Sequence, residues 1–202
     1  GTTDSWKKNL TFVGDDGDNN IHMQQANDLT KIIALRNPEY DITKIYLDSY
    51  IPSVSSSGKT YPQASTDIDR AINEGSLIFN YTGHGSTKAL SHESVVNLAS
   101  IQKWDNGNKL ALFVTATCQF TRYDEKTETS AGEMVFLNPY GGAVALFTTT
   151  RIAYSNSNST INTALYDYAF QRDSQDNKYA MGEIIQRTKN ATGTNTYKMS
   201  FT

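Results

Sequence analysis

The residues best suited to chemistry in this sequence are a histidine and a cysteine that each follow an apolar run. His84 lies between two glycines just after the run at residues 77–82, and the single cysteine, Cys118, follows the run at residues 110–117. Both runs are short, apolar and bounded by turn residues, which is typical of buried parallel strands. Ligands bind outside the carboxyl ends of such strands. A histidine and a cysteine at two strand ends could therefore act as base and nucleophile.

Carboxylates follow a third apolar run, at residues 10–14. Asp15 and Asp16 come directly after it, and Asp18 follows one glycine later. A carboxylate at this edge could fix the tautomer of a histidine and stabilise its charged form. The same composition is ordinary for a solvated turn. It is also compatible with a structural Ca²⁺ ion, although the twelve-residue loop with a terminal Glu is missing. The chemistry of a cysteine and a histidine requires no cofactor.

The elements that must position these residues form an alternating series. Apolar runs alternate with amphipathic stretches, which predicts βαβ units, a mainly parallel sheet and a three-layer α/β/α sandwich. Strands are predicted at residues 10–14, 42–47, 77–82, 110–117 and 143–148. Helices are predicted at residues 20–36, 65–73, 95–104, 130–137, 160–171 and 179–189. Residues 49–63, rich in serine and proline, are predicted to be a surface loop.

Composition narrows the classes of function. A chain of 202 residues is large enough for one domain with a substantial core. Its net charge is −3 and it has no basic cluster, which argues against nucleic acid as a partner. One cysteine excludes an internal disulfide framework and a multi-cysteine zinc site. No apolar stretch approaches the length of a transmembrane segment.

Three segments carry a resemblance to a known family. They are FNYTGHGS at residues 79–86, TCQFTRYD at residues 117–124 and SAGE at residues 130–133. They resemble the gingipain-type cysteine peptidases of the caspase, legumain and separase group, and within it most closely the PorU-type sortases of the Bacteroidetes type IX secretion system. The resemblance runs from about Leu10 to the end. It implies a caspase-like fold, with residues 1–202 as one catalytic domain or subdomain of a larger protein.

The resemblance also implies roles for individual residues. Cys118 is expected to be the nucleophile and His84 the acid and base acting on the substrate, without any need for contact between them in the resting state. The backbone N–H groups of Gly85 and Cys118 are expected to form the oxyanion hole. Laying the first strand on the family pattern assigns the carboxylate that orients His84 to Asp16.

Substrate-binding residues are expected on neighbouring loops. Arginine-specific gingipains carry an acidic residue shortly after the first strand, and the corresponding position here is Asn20, which argues against cleavage after Arg or Lys. Arg151 ends the fifth strand and is expected either to meet a substrate carboxylate or carbonyl or to be a surface arginine. His22 is expected to be solvated on its helix, and His92 and Glu93 are expected to be structural.

These observations favour a cysteine endopeptidase or transpeptidase. The resemblance implies that it removes the C-terminal signal domains of secreted proteins at the cell surface, alongside other components of the secretion system. The alternative is a catalytically inactive caspase-like domain, or a fragment without turnover, that binds peptides at the same sheet edge.

Overall fold

A five-stranded parallel sheet forms the centre of the molecule, in the strand order β2-β1-β5-β8-β9. The computed structural model describes residues 4–56, 58–193 and 196–202, except for the side chains of residues 196 and 197. In chain order its strands are β1 Asn9–Gly14, β2 Asp41–Tyr46, β3 Ser53–Ser55, β4 Gly58–Thr60, β5 Ile78–Thr82, β6 Ala89–Leu90, β7 Val96–Asn97, β8 Ala111–Ala116 and β9 Ala143–Phe147. The short strands pair as two antiparallel ribbons, β3 with β4 and β6 with β7.

Helices cover both faces of the central sheet. They are α1 Gly17–Arg36, α2 Pro62–Glu74, α3 Leu98–Ile101, α4 Ala131–Leu137, α5 Ser155–Ala169 and α6 Met181–Ala191, with 3₁₀ turns at Ser5–Lys8, Leu47–Ser49 and Thr196–Ser200. Buried residues of α2, α3 and α4 belong to one core cluster, and those of α1, α5 and α6 belong to the other. The predicted three-layer α/β/α architecture with a parallel sheet is confirmed.

The two core clusters arise because successive side chains of a strand point to opposite faces of the sheet. In β8, Ala111 and Phe113 pack in the cluster with α2 to α4, whereas Leu112 and Val114 pack in the cluster with α1, α5 and α6. Successive side chains of a strand point to opposite faces, so a strand buried on both faces is apolar throughout. This pattern is why the central strands could be recognised from sequence.

Several predicted boundaries differ from the structure for local reasons. Helix α2 begins at Pro62 rather than at residue 65, because proline is well accommodated in the first helical turn. The helix predicted at residues 95–104 is reduced to α3, since Val96–Asn97 pairs with Ala89–Leu90 and Asn97 caps the helix in a capping box. Helix α5 begins at Ser155 and so includes the Ser/Asn-rich stretch. The predicted loop at residues 49–63 contains the β3/β4 ribbon.

The end of the chain lies against the extension of β9. Thr148 and Thr202 exchange backbone hydrogen bonds of 3.1 and 2.8 Å, and Thr149 bridges antiparallel to Phe201. Within the described residues, no helix combines the length and the apolar character needed to cross a bilayer.

Candidate active site

The strand register places the candidate catalytic residues at one edge of the sheet. Gly14 is paired with Thr82, and Thr82 with Ala116, so β1, β5 and β8 end level with one another. Beyond these ends the backbone ladder continues, with the Asp15 N–H donating to the Thr82 carbonyl at 3.0 Å and the Gly83 N–H to the Ala116 carbonyl at 3.3 Å. His84 and Cys118 therefore both lie just past the carboxyl ends of adjacent strands.

The backbone around His84 is fixed by a buried carboxylate. Asp15 is only 1% exposed, and its Oδ2 accepts the backbone N–H of His84 at 2.9 Å. Its Oδ1 accepts the Gly17 N–H at 3.2 Å, which ties the first-strand turn to the same side chain. The Tyr81 hydroxyl donates to the His84 carbonyl at 2.6 Å. Asp15 thus fixes the backbone of the loop at residues 83–86, the histidine loop.

The two glycines beside His84 are required by close packing. A Cβ atom at Gly83 would overlap the Asp15 side chain and the Tyr81 hydroxyl, and one at Gly85 would overlap Thr117 Oγ1. Neither glycine has a positive φ, so the absence of a side chain matters here, and conformational freedom does not. The Gly-His-Gly pattern lets the histidine loop lie directly against the chain segments that follow β1 and β8.

The carboxylate beside the His84 imidazole comes from Asp18. Asp18 Oδ2 lies 3.1 Å from His84 Nε2. The sequence-based assignment gave this position to Asp16, whose Oδ2 instead accepts from Lys59 Nζ at 2.8 Å and from the Tyr61 hydroxyl at 2.5 Å. In the structure Asp18, two residues further along the turn, is thus the carboxylate in contact with the His84 imidazole, and Asp16 is not.

A left-handed turn accounts for this placement. Asp18, Asn19 and Asn20 have φ angles of 52°, 56° and 62°, three consecutive residues in a region that L-amino acids rarely adopt. Asp and Asn tolerate this conformation better than other residues, but each one still costs about 1–2 kcal/mol. Backbone strain of this kind is concentrated at functional sites. Asn20, the predicted substrate-binding residue, is partly buried on this turn.

Lys59 forms ion pairs with two further carboxylates at this edge, Asp16 and Glu93. Burial opposes ionisation of Asp16, but the hydrogen bonds from Lys59 and Tyr61 outweigh it, so the pKa of Asp16 lies below its usual value. Lys59 also contacts Glu93 at 3.1 Å, and these bonds raise the pKa of Lys59. Asp15, Asp16 and Glu93 form an acidic group of metal-binding size. Two of its members, Asp16 and Glu93, already share the ammonium group of Lys59.

All three histidines of the chain meet at this edge. The His22 ring lies edge-on to His84 at 5.0 Å between centroids, and His92 stacks on His84 at 4.4 Å. His22 is 4% exposed rather than solvated, and its Nε2 lies 3.3 Å from Asp18 Oδ2. Burial and the neighbouring His84 lower the pKa of His22, although the nearby carboxylates oppose the shift. The only sequence signal was the four-residue spacing of Asp18 and His22.

Cys118 lies half-buried on the neighbouring loop. Its Sγ donates to the Ala153 carbonyl at 3.1 Å, and no hydrogen bond joins it to His84 among the described residues. Gln119, the next residue, has a φ of 53°, and its N–H donates to the Arg151 carbonyl at 3.1 Å. Residues 151–153, which follow β9, therefore support both the sulfur of Cys118 and the backbone of Gln119.

The remaining predicted site residues border the same edge. Within the part of the chain that the structure describes, the backbone N–H groups of Gly85 and Cys118 have no protein acceptor, as the expected oxyanion role requires. Arg151 is exposed and paired with Asp124, its Nη1 donating to Oδ1 at 3.0 Å. A substrate carboxylate would have to compete with Asp124 for this guanidinium group.

Comparisons with known proteins match this geometry. The model of peptidase family C25 matches residues 1–202. Two similar solved structures are the "Arg specific cysteine proteinase gingipain R" (TM-score 0.75, 18% identity) and the complex of the Porphyromonas gingivalis RgpB pro- and mature domains (TM-score 0.73, 18% identity). Each match covers 98% of this chain but 45% of the solved chain, so this chain spans under half of their length. These matches confirm the expected caspase-like fold. No curated protein sequence matches significantly.

Proposed function

Since the chain belongs to peptidase family C25, we propose that it carries the catalytic centre of a cysteine peptidase at the edge formed by β1, β5 and β8. The observation that carries this proposal is the placement, at adjacent strand ends, of the single cysteine, a histidine with a carboxylate 3.1 Å from its Nε2, and two unpaired backbone N–H groups. These are the nucleophile, the acid and base, and the oxyanion donors that acyl transfer needs.

In the proposed reaction, the thiolate of Cys118 attacks the carbonyl carbon of a peptide bond and forms a carbon–sulfur bond. The N–H groups of Gly85 and Cys118 bind the oxygen that becomes negative. When the intermediate collapses, the carbon–nitrogen bond breaks and the His84 imidazolium gives its proton to the leaving amine. Water or another amine then attacks the thioester, His84 accepts its proton, and the Cys118 thiolate is released.

Asp18 and Asp15 act as positioning residues in this scheme. Asp18 faces Nε2 of His84, so it stabilises the imidazolium and leaves Nδ1 as the nitrogen that exchanges protons with the substrate. Asp15 holds the backbone N–H of His84 and keeps the whole loop at the sheet edge. Arg151 is proposed to reach the substrate only when it is released from Asp124.

The proposed substrates are proteins, and the finer assignment rests on sequence resemblance. Residues 79–86, 117–124 and 130–133 resemble PorU-type sortases, which supports cleavage of the C-terminal signal domains of type IX cargo at the cell surface, beside other secretion components. In the same proposal the 202 residues are one caspase-like catalytic unit of a larger protein. The amine that opens the thioester in a transpeptidase would be the acceptor of the cleaved cargo.

Labelling of Cys118 by a peptidyl electrophile tests the proposal. An active site should make the peptidyl reagent react far faster than a simple haloacetamide, because binding and the oxyanion donors assist only the peptidyl reagent. His84→Gln and Asp18→Asn should each slow labelling by roughly tenfold or more. Mass spectrometry of the intact chain follows the rates.

Asp16→Asn is the matched control. It makes the same chemical change as Asp18→Asn on the same turn, but at a carboxylate bound to Lys59 and Tyr61. Its labelling rate should stay within about twofold of the wild-type rate. If peptidyl and simple reagents label Cys118 equally fast in a folded chain, the inactive peptide-binding alternative is favoured instead.

A further inference from the structure

His22 has a buried nitrogen that the proposed peptidase does not use. The residue is 4% exposed, and its Nε2 has no hydrogen-bonding partner of acceptable geometry among the described residues. It lies 3.3 Å from Asp18 Oδ2, but the two groups are not aligned as donor and acceptor. Burying a polar nitrogen without a hydrogen-bonding partner destabilises the fold. The arrangement therefore suggests that this nitrogen has a ligand.

The atoms around His22 Nε2 have the spacing of a metal site. Asp18 Oδ2 lies 3.1 Å from His84 Nε2 and 3.3 Å from His22 Nε2, and the ligand atoms of the three residues all lie within 4.8 Å of one another. Ligands of tetrahedral Zn²⁺ are about 2.0–2.1 Å from the ion, which puts them about 3.3 Å from each other. Three protein ligands with one open position is the arrangement of an accessible zinc site.

We propose that Asp18, His22 and His84 bind one divalent transition-metal ion, with Zn²⁺ as the preferred ion. Two imidazole nitrogens and one carboxylate favour Zn²⁺ over Ca²⁺ and Mg²⁺, which prefer ligand sets made of oxygen. The ion would bind the unpaired His22 nitrogen and balance the charge of Asp18. The left-handed turn at residues 18–20 brings the carboxylate to both imidazoles.

Bound metal would act as a reversible inhibitor, a consequence that rests on the proposed peptidase function. An imidazole whose Nε2 is bound to a metal keeps its proton on Nδ1 and has no lone pair left to accept another. His84 could then accept no proton from water or an amine, and giving up its Nδ1 proton would leave an unfavourable imidazolate, so acyl transfer would stop. The ion would also draw Asp18 away from its role beside the imidazolium.

Calorimetric titration of the 202-residue chain with Zn²⁺ tests the site without reference to activity. We expect about one ion per chain in the wild type and in Cys118→Ala, which excludes binding through the thiol. His22→Gln and Asp18→Asn should each weaken binding by roughly tenfold or more, since even loss of groups that only support metal ligands costs 10–100-fold. Ca²⁺ and Mg²⁺ should give no comparable heat.

His92→Gln is the matched control for His22→Gln. His92 stacks on His84 but is exposed and outside the ligand group, so its loss should change zinc affinity by no more than about twofold. Zn²⁺ should also raise the melting temperature of the wild type, a measurement that needs no variant to fold. Absence of zinc binding by the wild type, or unchanged binding by folded His22→Gln, would overturn the proposal. The two proposals can fail separately. If the chain fails the labelling test but binds zinc as expected, the peptidase proposal is contradicted and the metal site is not.

Discussion

At the scale of single residues, the carboxylates after β1 are all engaged. Asp15 holds the His84 backbone, Asp16 is bound by Lys59 and Tyr61, and Asp18 faces the imidazoles. A substrate guanidinium group needs a carboxylate for a charge-assisted contact, and none of these three is free to provide it. The position expected to meet such a group holds the neutral amide of Asn20.

We therefore predict that the proposed peptidase has no preference for Arg or Lys before the cleaved bond, unlike the arginine-specific proteinase whose structure is similar. Asn20→Asp should raise cleavage after Arg by roughly tenfold or more, because a hydrogen bond to a charged partner contributes about 1.5–3 kcal/mol. Profiling with a peptide library gives both results. The measurement should use the intact enzyme if this chain alone lacks turnover.

Asn19→Asp controls for the added charge. It introduces the same group one residue earlier on the turn, at an exposed position, and should leave the profile unchanged. Dominant cleavage after Arg or Lys by the wild type would contradict the assignment of Asn20.

Sequence reasoning reached His84 and Cys118 but not their surroundings. Each follows an apolar run of strand length, and the ends of parallel strands share an edge, so their placement could be predicted from pattern alone. Asp18 could not be distinguished from Asp16, because no local signal indicates three successive left-handed residues. His22 was missed because its burial depends on the contacts of α1 with the histidine loop.

At the scale of elements, the start of α1 combines a regular helix with a strained turn. Residues 18–20 are left-handed, whereas the body of α1 continues to Arg36. The site thus depends on a backbone conformation that most residues would destabilise. Exposed Asn19 lies in the middle of the turn, so substitutions there report on backbone strain with few side-chain effects.

We predict that Asn19→Ala is less stable than Asn19→Gly by about 1 kcal/mol, because the left-handed conformation is strained for alanine and unstrained for glycine. At the exposed, regular helical position Gln24 the order should reverse, with the glycine variant less stable by about 0.5–1 kcal/mol. Urea denaturation of the four variants measures both differences. The same order at both positions would argue against the left-handed turn.

At the scale of the whole molecule, more than half of the tyrosines are buried or partly buried in the fold. Burial is the main cause of a raised pKa at six of the 12 tyrosines, and for Tyr50, which also donates to Asp67, it raises the pKa to about 12. The six are Tyr40, Tyr46, Tyr50, Tyr61, Tyr81 and Tyr166. In the unfolded chain these hydroxyls would lose their protons near pH 10.

Alkaline pH should therefore destabilise the fold. Above pH 10 the folded chain holds more protons than the unfolded chain, so the free energy of unfolding falls as pH rises. We predict that the six tyrosines lose their protons cooperatively as the fold is lost, so that a sharp rise in tyrosinate absorbance coincides with the loss of the circular dichroism signal. A single non-cooperative titration of all tyrosines would contradict the burial described here.

The central strands of the sheet could be predicted from sequence because strands buried on both faces are apolar throughout. The short ribbons could not, since Ser53–Ser55 and Gly58–Thr60 are exposed and carry no hydrophobic pattern. The early start of α5 was missed for a related reason, because serine and asparagine are more typical of caps and loops than of helix interiors.

The convergence of the three histidines has a practical consequence for spectroscopy. Since the chain has no histidine outside this cluster, selective isotope labelling of histidine would give imidazole NMR signals that all arise from the site. The chemical shifts of the ring nitrogens distinguish protonated, neutral and metal-bound imidazole, and so would follow each state of the site without background from the rest of the protein. The single cysteine offers a second labelling position at the same edge, so both kinds of label would report on the site.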